Sequence, residues 1–190
     1  MNPKRADRRV LRTRKAIMAA FDRLLSEQNL DKITVSAIAR NAGIDRKTFY
    51  LHYKSIDDLA NRKAEEALEQ ILAVFKAEGL GKSFPERIHI ILSEVNNILT
   101  ENMAVYSNIA ERLTADQALA HFEQAAGPAL AHSGFSTEVM TNQQMHLRLQ
   151  FFVGGSISLY STWLKSDHSQ PIETVSNAIE EALWSGRPRE

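Results

Sequence analysis

The chain has 190 residues, 44% of them hydrophobic, and 23 lysine and arginine residues balance 23 acidic ones. It contains no cysteine, which excludes disulfide bonds, thiolate catalysis and thiolate metal sites. The longest apolar stretch, near residues 151–164, is interrupted by polar residues and too short to span a bilayer, and the amino terminus lacks a signal peptide's apolar segment. We therefore expect a cytoplasmic protein of one or two domains.

The neutral total conceals two oppositely charged parts. Residues 1–63 contain 15 lysine and arginine residues against 7 acidic ones, a net charge of +8, whereas residues 64–190 contain 8 against 16, a net charge of -8. Cationic charge at one end attracts nucleic acid by counterion release, while an acidic remainder is repelled by it. The charge pattern predicts that DNA would meet the amino-terminal part.

The first 15 residues hold seven of these 15 lysine and arginine residues, with only Asp7 opposing them. Such a run is typical of a disordered segment, so we expect residues 1–10 to form a basic arm. The arm is either a solvated tail or a contact to the phosphate backbone or minor groove. The basic residues of the arm are Lys4, Arg5, Arg8 and Arg9, and those just after it are Arg12, Arg14 and Lys15.

Next in the chain, an apolar stripe predicts the first helix. Ile17, Phe21, Leu24 and Leu25 recur at the spacing of one helical face. We expect this face to pack over the two short helices that follow.

The segment after residue 33 predicts a short helix that ends at a glycine. Thr34 can cap it, and its apolar residues recur at spacings of three and four, which defines a buried face. Gly43 follows directly, at the position where a chain leaving a helix commonly adopts a left-handed conformation. The apolar residues are Val35, Ile38, Ala39 and Ala42.

A second short helix is predicted from about Asp45, its cap, to Tyr53. Phe49 and Tyr53 lie four residues apart and so point to the core together. The opposite face carries cationic, hydroxyl and imidazole groups suited to phosphates and base edges. These residues are Arg46, Lys47, Thr48, Tyr50, His52 and Lys54. The two short helices together predict a helix-turn-helix and hence a DNA-binding protein.

The remainder also has helical periodicity. A fourth helix is predicted from Ser55, where Asp58 completes a capping-box pattern, and Ser83 with Glu86 begins another. Further helices are expected over 104–113, 115–131, 137–165 and 171–184, with Pro171 in a first turn. We find no sustained alternation that would predict a strand, so the fold class is all-α: a three-helix head followed by a helical bundle.

Residues 12–59 resemble the DNA-binding domain of the TetR family of bacterial transcriptional regulators. The resemblance depends on three blocks at fixed spacing, LDKIT, ARNAGI and TFYLHYKS. The stretch beginning FFVGGSISLYSTWL resembles the end of the regulatory domain in a subgroup common in Firmicutes. The resemblance implies a DNA-binding domain over 11–54 and a ligand-binding and dimerisation domain over 55–190.

The resemblance also implies roles for single residues. The family's pattern places Arg46 and Lys47 against bases, and Thr34 against phosphate. The remaining predicted DNA contacts are Asp45, Thr48, Tyr50, His52, Lys54, Arg12 and Arg14. One position departs from the family, since Ile56 stands where a second lysine is usual, and a phosphate contact is therefore missing or replaced.

By the same resemblance, the last two long helices of two subunits form a homodimer that binds a palindromic operator. The expected function is repression, relieved by a small-molecule effector. Gly154 and Gly155 allow close helix approach between subunits, or else form a kink or packing notch within one. We expect no cofactor, metal site or catalytic residue, and no membrane partner.

The effector site has only weak candidates, because aromatic and polar residues on inner helices more often serve ordinary packing. The candidates are Tyr106, Phe122, Gln143, His146, Tyr160 and Trp163. Two other functions stay open. One is a coactivator or protein-binding module that keeps the fold without an operator, which Ile56 favours, and the other is an all-helical enzyme, for which we find no motif.

Overall fold

The computed structural model describes residues 3–79, 81–110, 116 and 142–184, and every regular element in these ranges is helical. The all-α fold class is confirmed. None of these helices combines the length and the hydropathy that crossing a bilayer requires. A 3₁₀ turn spans Leu30–Lys32, and the α-helices are α1 (Pro3–Glu27), α2 (Val35–Ala42), α3 (Arg46–Tyr50), α4 (Ile56–Glu78), α5 (Phe84–Glu101), α6 (Met103–Ile109), α7 (Asn142–Leu164) and α8 (Glu173–Trp184).

The chain forms two compact units. The first, which we call the head, comprises Met1–Ala64 and Ala104–Arg112, and the second, the bundle, comprises Glu65–Met103 and Leu113–Glu190. The sequence suggested a boundary between residues 54 and 55, where α4 is about to begin. The head instead extends through the first turns of α4, because Leu59, Ala60 and Ala64 are buried in it.

The predicted basic arm differs from the structure, in which α1 is helical from Pro3 onward. Arginine, lysine, alanine and leucine are good helix formers, and proline is tolerated in a first turn, so local preference favours helix despite the charge. Arg8, Arg9, Arg12, Arg14 and Lys15 are all exposed. From Pro3 onward, the predicted arm is therefore part of α1.

The head has an apolar core built on the predicted stripe of α1. Ile17, Phe21 and Leu25 are buried there, and α1 packs against α2, which packs against α3. Two polar contacts secure neighbouring elements. Lys63 Nζ of α4 donates to Asp22 Oδ2 of α1 at 2.8 Å, and Asn108 Nδ2 of α6 donates to the carbonyl of Leu25 at 2.9 Å.

The bundle contains α5, α7 and α8, with α8 packed against both others. The predicted capping box begins α5, with Ser83 and Glu86 satisfying each other's backbone N–H groups. Its core joins apolar residues to one polar chain, in which the Tyr160 hydroxyl donates to Asn96 Oδ1 at 2.8 Å and Asn96 Nδ2 donates to Ser176 Oγ at 3.0 Å. The apolar core includes Ile88, Leu92, Ile98, Leu164, Ile172 and Ile179.

The described helices after α5 correspond to predicted ones and differ from them mainly in where they begin and end. The helix predicted over 104–113 is α6, and those predicted over 137–165 and 171–184 are α7 and α8. α8 begins two residues after Pro171, whose carbonyl accepts from the N–H of Thr174 at 3.0 Å. Apart from residue 116, the helix predicted over 115–131 lies outside the described residues.

Candidate nucleic-acid interface

The turn between α2 and α3 depends on a glycine in the left-handed region. Gly43 has φ 66° and ψ 33°, and its N–H donates to the carbonyls of Ala39 and Arg40. The N–H of Ile44 donates to the Ala39 carbonyl at 2.9 Å, which closes the end of α2. Any side chain at residue 43 would be strained in this conformation, so the angle between the two short helices depends on glycine.

Asp45 caps α3 as predicted. Its Oδ1 accepts from the N–H of Thr48 at 2.7 Å. That hydrogen bond holds the pKa of the Asp45 carboxyl below its ordinary value, with smaller contributions from the Thr48 side chain and from Lys47. The carboxylate is thus committed to the start of the helix, and its negative charge would oppose a phosphate.

Two aromatic rings fix α3 to the head. Phe49 is fully buried and Tyr53 nearly so. Their ring centroids are 6.0 Å apart, and the Tyr50 ring meets the Phe49 ring edge-on at 5.5 Å. Because Phe49 occupies the core, the residues on the far side of α3 are presented to solvent in a defined orientation.

The side of α3 and its carboxyl end that points away from the core is strongly cationic. Arg46, Lys47 and Lys54 are exposed there, and Tyr50 retains half of its exposure. We call these residues, together with Leu51, the recognition face. Thr48 and His52 lie at its edge and are half-buried.

The pKa of His52 reflects its burial and the charge of α1. Burial lowers the pKa of His52 below its ordinary value, and the positive charge of Arg14 lowers it further. In the free protein the imidazole is therefore neutral at physiological pH, able to donate one hydrogen bond and accept another.

The other predicted DNA contacts lie on α1 and at the start of α2. Thr34 caps α2, its hydroxyl oxygen accepting from the N–H of Ala37 at 3.1 Å. Arg12 is exposed on α1. Ile56, the departure from the family's pattern, is half-buried as the first residue of α4. Just before it, the N–H of Lys54 donates to Asp58 Oδ2 at 2.8 Å, and the N–H of Asp58 donates to Ser55 Oγ at 3.1 Å.

The second short helix is shorter than predicted. It ends at Tyr50 rather than near Tyr53, and Leu51 is its carboxyl-terminal cap. Our interpretation of the sequence also overlooked Leu51, whose side chain is 75% exposed. A helical projection would have found it. Leu51 follows buried Phe49 by two residues, which turns its side chain by about 200° around the helix axis and so away from the core.

The predicted effector residues that the structure describes belong to both units. Tyr106 is buried in the head, with Lys63 Nζ 5.9 Å from the centroid of its ring, whereas Tyr160 and Trp163 are buried in the bundle. Trp163 Nε1 donates to the Gln170 carbonyl at 2.8 Å, and burial raises the pKa of the Tyr160 hydroxyl, which donates to Asn96. Gln143 is exposed, His146 lies in α7, and Phe122 lies outside the described residues. An effector site at these residues stays a prediction.

A helix-turn-helix with an exposed cationic helix, followed by a helical bundle, defines a DNA-binding transcriptional regulator. Residues 17–62 match the family model of bacterial regulatory proteins of the tetR family. The chain therefore contains the DNA-binding domain of the TetR family, as the resemblance in its sequence indicated.

Two curated relatives are transcriptional regulators of Bacillus subtilis. The uncharacterized HTH-type regulator YxbF is 35% identical over 101 residues, a match that spans 50% of this chain and 27% of that protein's length. The fatty acid metabolism regulator protein is 24% identical over 183 residues, which are 90% of this chain and 93% of the relative. The solved structure of FadR from Bacillus subtilis in complex with stearoyl-CoA has the same fold, with a TM-score of 0.67, 20% identity and coverage of 92% and 99%.

Proposed function

We propose that this regulator is a repressor that binds a palindromic operator as a homodimer and leaves it when a small molecule binds the bundle. The observation that carries the proposal is the recognition face, on which cationic side chains project from a helix anchored by Phe49. An exposed cationic helix in a helix-turn-helix fits the major groove. Because DNA would be its target in a bacterial cell, we also propose a cytoplasmic location.

The roles divide between bases and backbone. Arg46 and Lys47, in the first turn of α3, are proposed to contact base edges, where paired hydrogen-bond donors distinguish guanine. Asp45 is proposed to position them by capping the helix, rather than to touch DNA. The proposed backbone contacts are Thr34, Thr48, Tyr50, His52, Lys54, Arg12 and Arg14. The other exposed cations of α1 add phosphate contacts along the duplex, in place of the one absent at Ile56.

The exposed surface of α7 supports dimerisation. Leu147, Phe151, Gly155 and Leu159 are spaced four residues apart and all are exposed, with Phe151 76% exposed. A Cβ built on Gly155 meets no atom of the described residues within 4 Å, so no side chain in that part of the chain packs against this glycine. An apolar stripe with a glycine at its centre suits close approach of the same helix from a second subunit.

The effector class is proposed from the relatives. A curated relative that aligns with most of this chain is a fatty acid metabolism regulator, and a structure of the same fold is in complex with stearoyl-CoA. We infer that the bundle binds a long acyl thioester. Stearoyl-CoA should release the protein from its operator and raise its melting temperature, whereas free coenzyme A should not. An effector of another class would leave both unchanged.

DNA binding is tested by fluorescence anisotropy on a duplex selected from random DNA, at several salt concentrations. Replacing Arg46 or Lys47 by Ala should cost ~1–3 kcal/mol and relax preference at one base pair. Lys54→Ala should weaken every duplex alike and lower the salt slope by about one for each phosphate that the lysine had neutralised.

The matched control is Lys76→Ala, which removes an exposed lysine from the bundle and should leave affinity unchanged. If the three recognition-face variants also bind like the parent, the recognition face is wrongly assigned. If the folded parent binds no duplex at all, a protein-binding module becomes the better account.

A further inference from the structure

Leu51 is an apolar side chain in the middle of a cationic surface. Its neighbours on the recognition face are Tyr50 and, three residues on, Lys54, and only Phe151 among the described large apolar residues is more exposed. A single exposed leucine is ordinary on a protein surface. This one, however, lies on the surface that meets the bases under the proposed function, on which the present inference rests.

The backbone holds Leu51 firmly. Its N–H donates to the carbonyls of Lys47 and Thr48, both at 3.2 Å. The next two N–H groups, those of His52 and Tyr53, donate to the Phe49 carbonyl at 2.9 and 3.0 Å. Because buried Phe49 and Tyr53 flank it, the Leu51 Cα cannot move without disturbing the core, and its side chain is presented at a defined place.

The chemistry of the major groove offers one apolar feature of base pairs to such a side chain. Base edges there present hydrogen-bond donors and acceptors, and thymine adds its C5-methyl group. Among the other side chains of the recognition face, Arg46, Lys47 and Lys54 end in a charge, and the half-exposed Tyr50 ring ends in a hydroxyl. Leu51 is therefore the wholly aliphatic side chain of this face. Leucine in contact with the thymine methyl group would bury apolar area on both partners, which favours thymine over cytosine at that position.

We propose that Leu51 is a specificity-determining residue that recognises a thymine of each half-site through its C5-methyl group. Arg46 and Lys47 then supply hydrogen bonds to neighbouring bases, while Leu51 supplies the apolar contact. A leucine that merely covered the sugar-phosphate backbone would not discriminate between bases.

The test replaces each thymine of a selected operator, one symmetric pair at a time, by deoxyuridine, which removes only the methyl group. Affinity is measured for the parent and for Leu51→Ala. At about 0.8 kcal/mol for each buried CH₂-sized group, one pair of positions should weaken the parent about fifteenfold, or about fourfold per methyl group. The same replacement should leave Leu51→Ala almost unaffected.

A second base substitution tests whether adding a methyl group increases affinity. Changing the identified thymine to cytosine should weaken binding of the parent, and 5-methylcytosine at the same position should restore part of that loss. Leu51→Ala should not distinguish cytosine from 5-methylcytosine. The control variant Leu11→Ala, which truncates another exposed leucine of the head, should respond to the bases as the parent does.

Three outcomes separate this inference from the proposed function. If deoxyuridine is tolerated at every position, or if it weakens Leu51→Ala as much as the parent, Leu51 does not recognise thymine. If Lys54→Ala still binds all duplexes more weakly than the parent in that case, the proposed function stands. If no duplex binds at all, the proposed function fails and the inference fails with it. Leu51→Ala should keep the parent's circular dichroism spectrum and melting temperature, because the side chain is exposed.

Discussion

The head and the bundle differ in the polar groups inside them and in the side chains that they expose. In the head, aliphatic and aromatic side chains such as Ile17, Phe21 and Phe49 fill the core, and cations cover the outside. In the bundle, a hydrogen-bonded chain through Tyr160, Asn96 and Ser176 crosses the interior, while leucine and phenylalanine side chains of α7 face outward.

This difference indicates what each unit lacks. The head has a closed apolar core and a cationic surface that suits a polyanion, so its proposed partner is DNA. The bundle exposes on α7 the kind of surface that soluble chains normally cover, so its proposed partner is another copy of itself. Its interior hydrogen bonds require matched donors and acceptors, which favours one arrangement of α5, α7 and α8 over others.

The largest expected effect is on the dimer. Phe151→Asp should raise the dimer dissociation constant at least about a hundredfold, because two side chains each lose ~1.5–3 kcal/mol of burial and two carboxylates become unpaired. Sedimentation velocity at several concentrations measures this. Gln150→Asp introduces the same charge at an exposed residue away from the stripe and should leave the dimer intact. Equal behaviour of the two variants would argue against the α7 interface.

A substitution in the head core should lower the stability of the head by a comparable free energy. Phe49→Ala should cost ~3–5 kcal/mol of stability, since it leaves a cavity beneath α3. Both tryptophans, Trp163 and Trp184, belong to the bundle. Far-ultraviolet circular dichroism should therefore show part of the helix unfolding at lower urea, while tryptophan fluorescence changes at a higher concentration. Leu51→Ala is the exposed control, and an unchanged circular dichroism transition for Phe49→Ala would contradict the core assignment.

The polar chain of the bundle should contribute less. Tyr160→Phe removes the donor that satisfies Asn96 Oδ1 and should cost ~1–3 kcal/mol. Urea denaturation followed by tryptophan fluorescence, at fixed protein concentration, measures it. Tyr50→Phe removes a hydroxyl from a half-exposed ring and should change stability little. A Tyr160→Phe protein as stable as the parent would mean that this interior hydrogen bond adds nothing.

The smallest effect should come from the cap of α3. Because the folded pKa of Asp45 lies below its unfolded value of 3.8, the stabilisation is fully present at higher pH and is lost as the pH falls through the folded pKa. The difference in melting temperature between the parent and Asp45→Ala should thus be constant near neutrality and shrink below about pH 4. A difference independent of pH would show that the charge of the carboxylate does not matter.

The local features of the head could be predicted from the sequence because each depends on residues close in the chain. Thr34, Gly43 and Asp45 specify two caps and a turn by their own backbone preferences, and the spacing of Phe49 and Tyr53 specifies the buried side. The end of α3 at Tyr50 was harder to predict from the sequence, because competing hydrogen bonds decide the last one or two residues of a helix.

Tertiary partners were not predictable in the same way. Nothing near Tyr160 in the chain indicates that its hydroxyl would meet Asn96, 64 positions away. Tyr106 and Trp163 both look like candidates for a ligand site, but the structure puts them in different compact units. The basic arm was misjudged because charge alone favours disorder, whereas the helix preference of its residues extends α1 to Pro3.

The central claim, that two recognition faces bind duplex DNA together, is tested most directly by selecting bound fragments from a random pool of duplexes. We predict enrichment of an inverted repeat whose half-site centres are separated by about one helical turn, ~34 Å, or a multiple of it. Recovery of an asymmetric motif, or no enrichment by a folded dimer, would contradict the account.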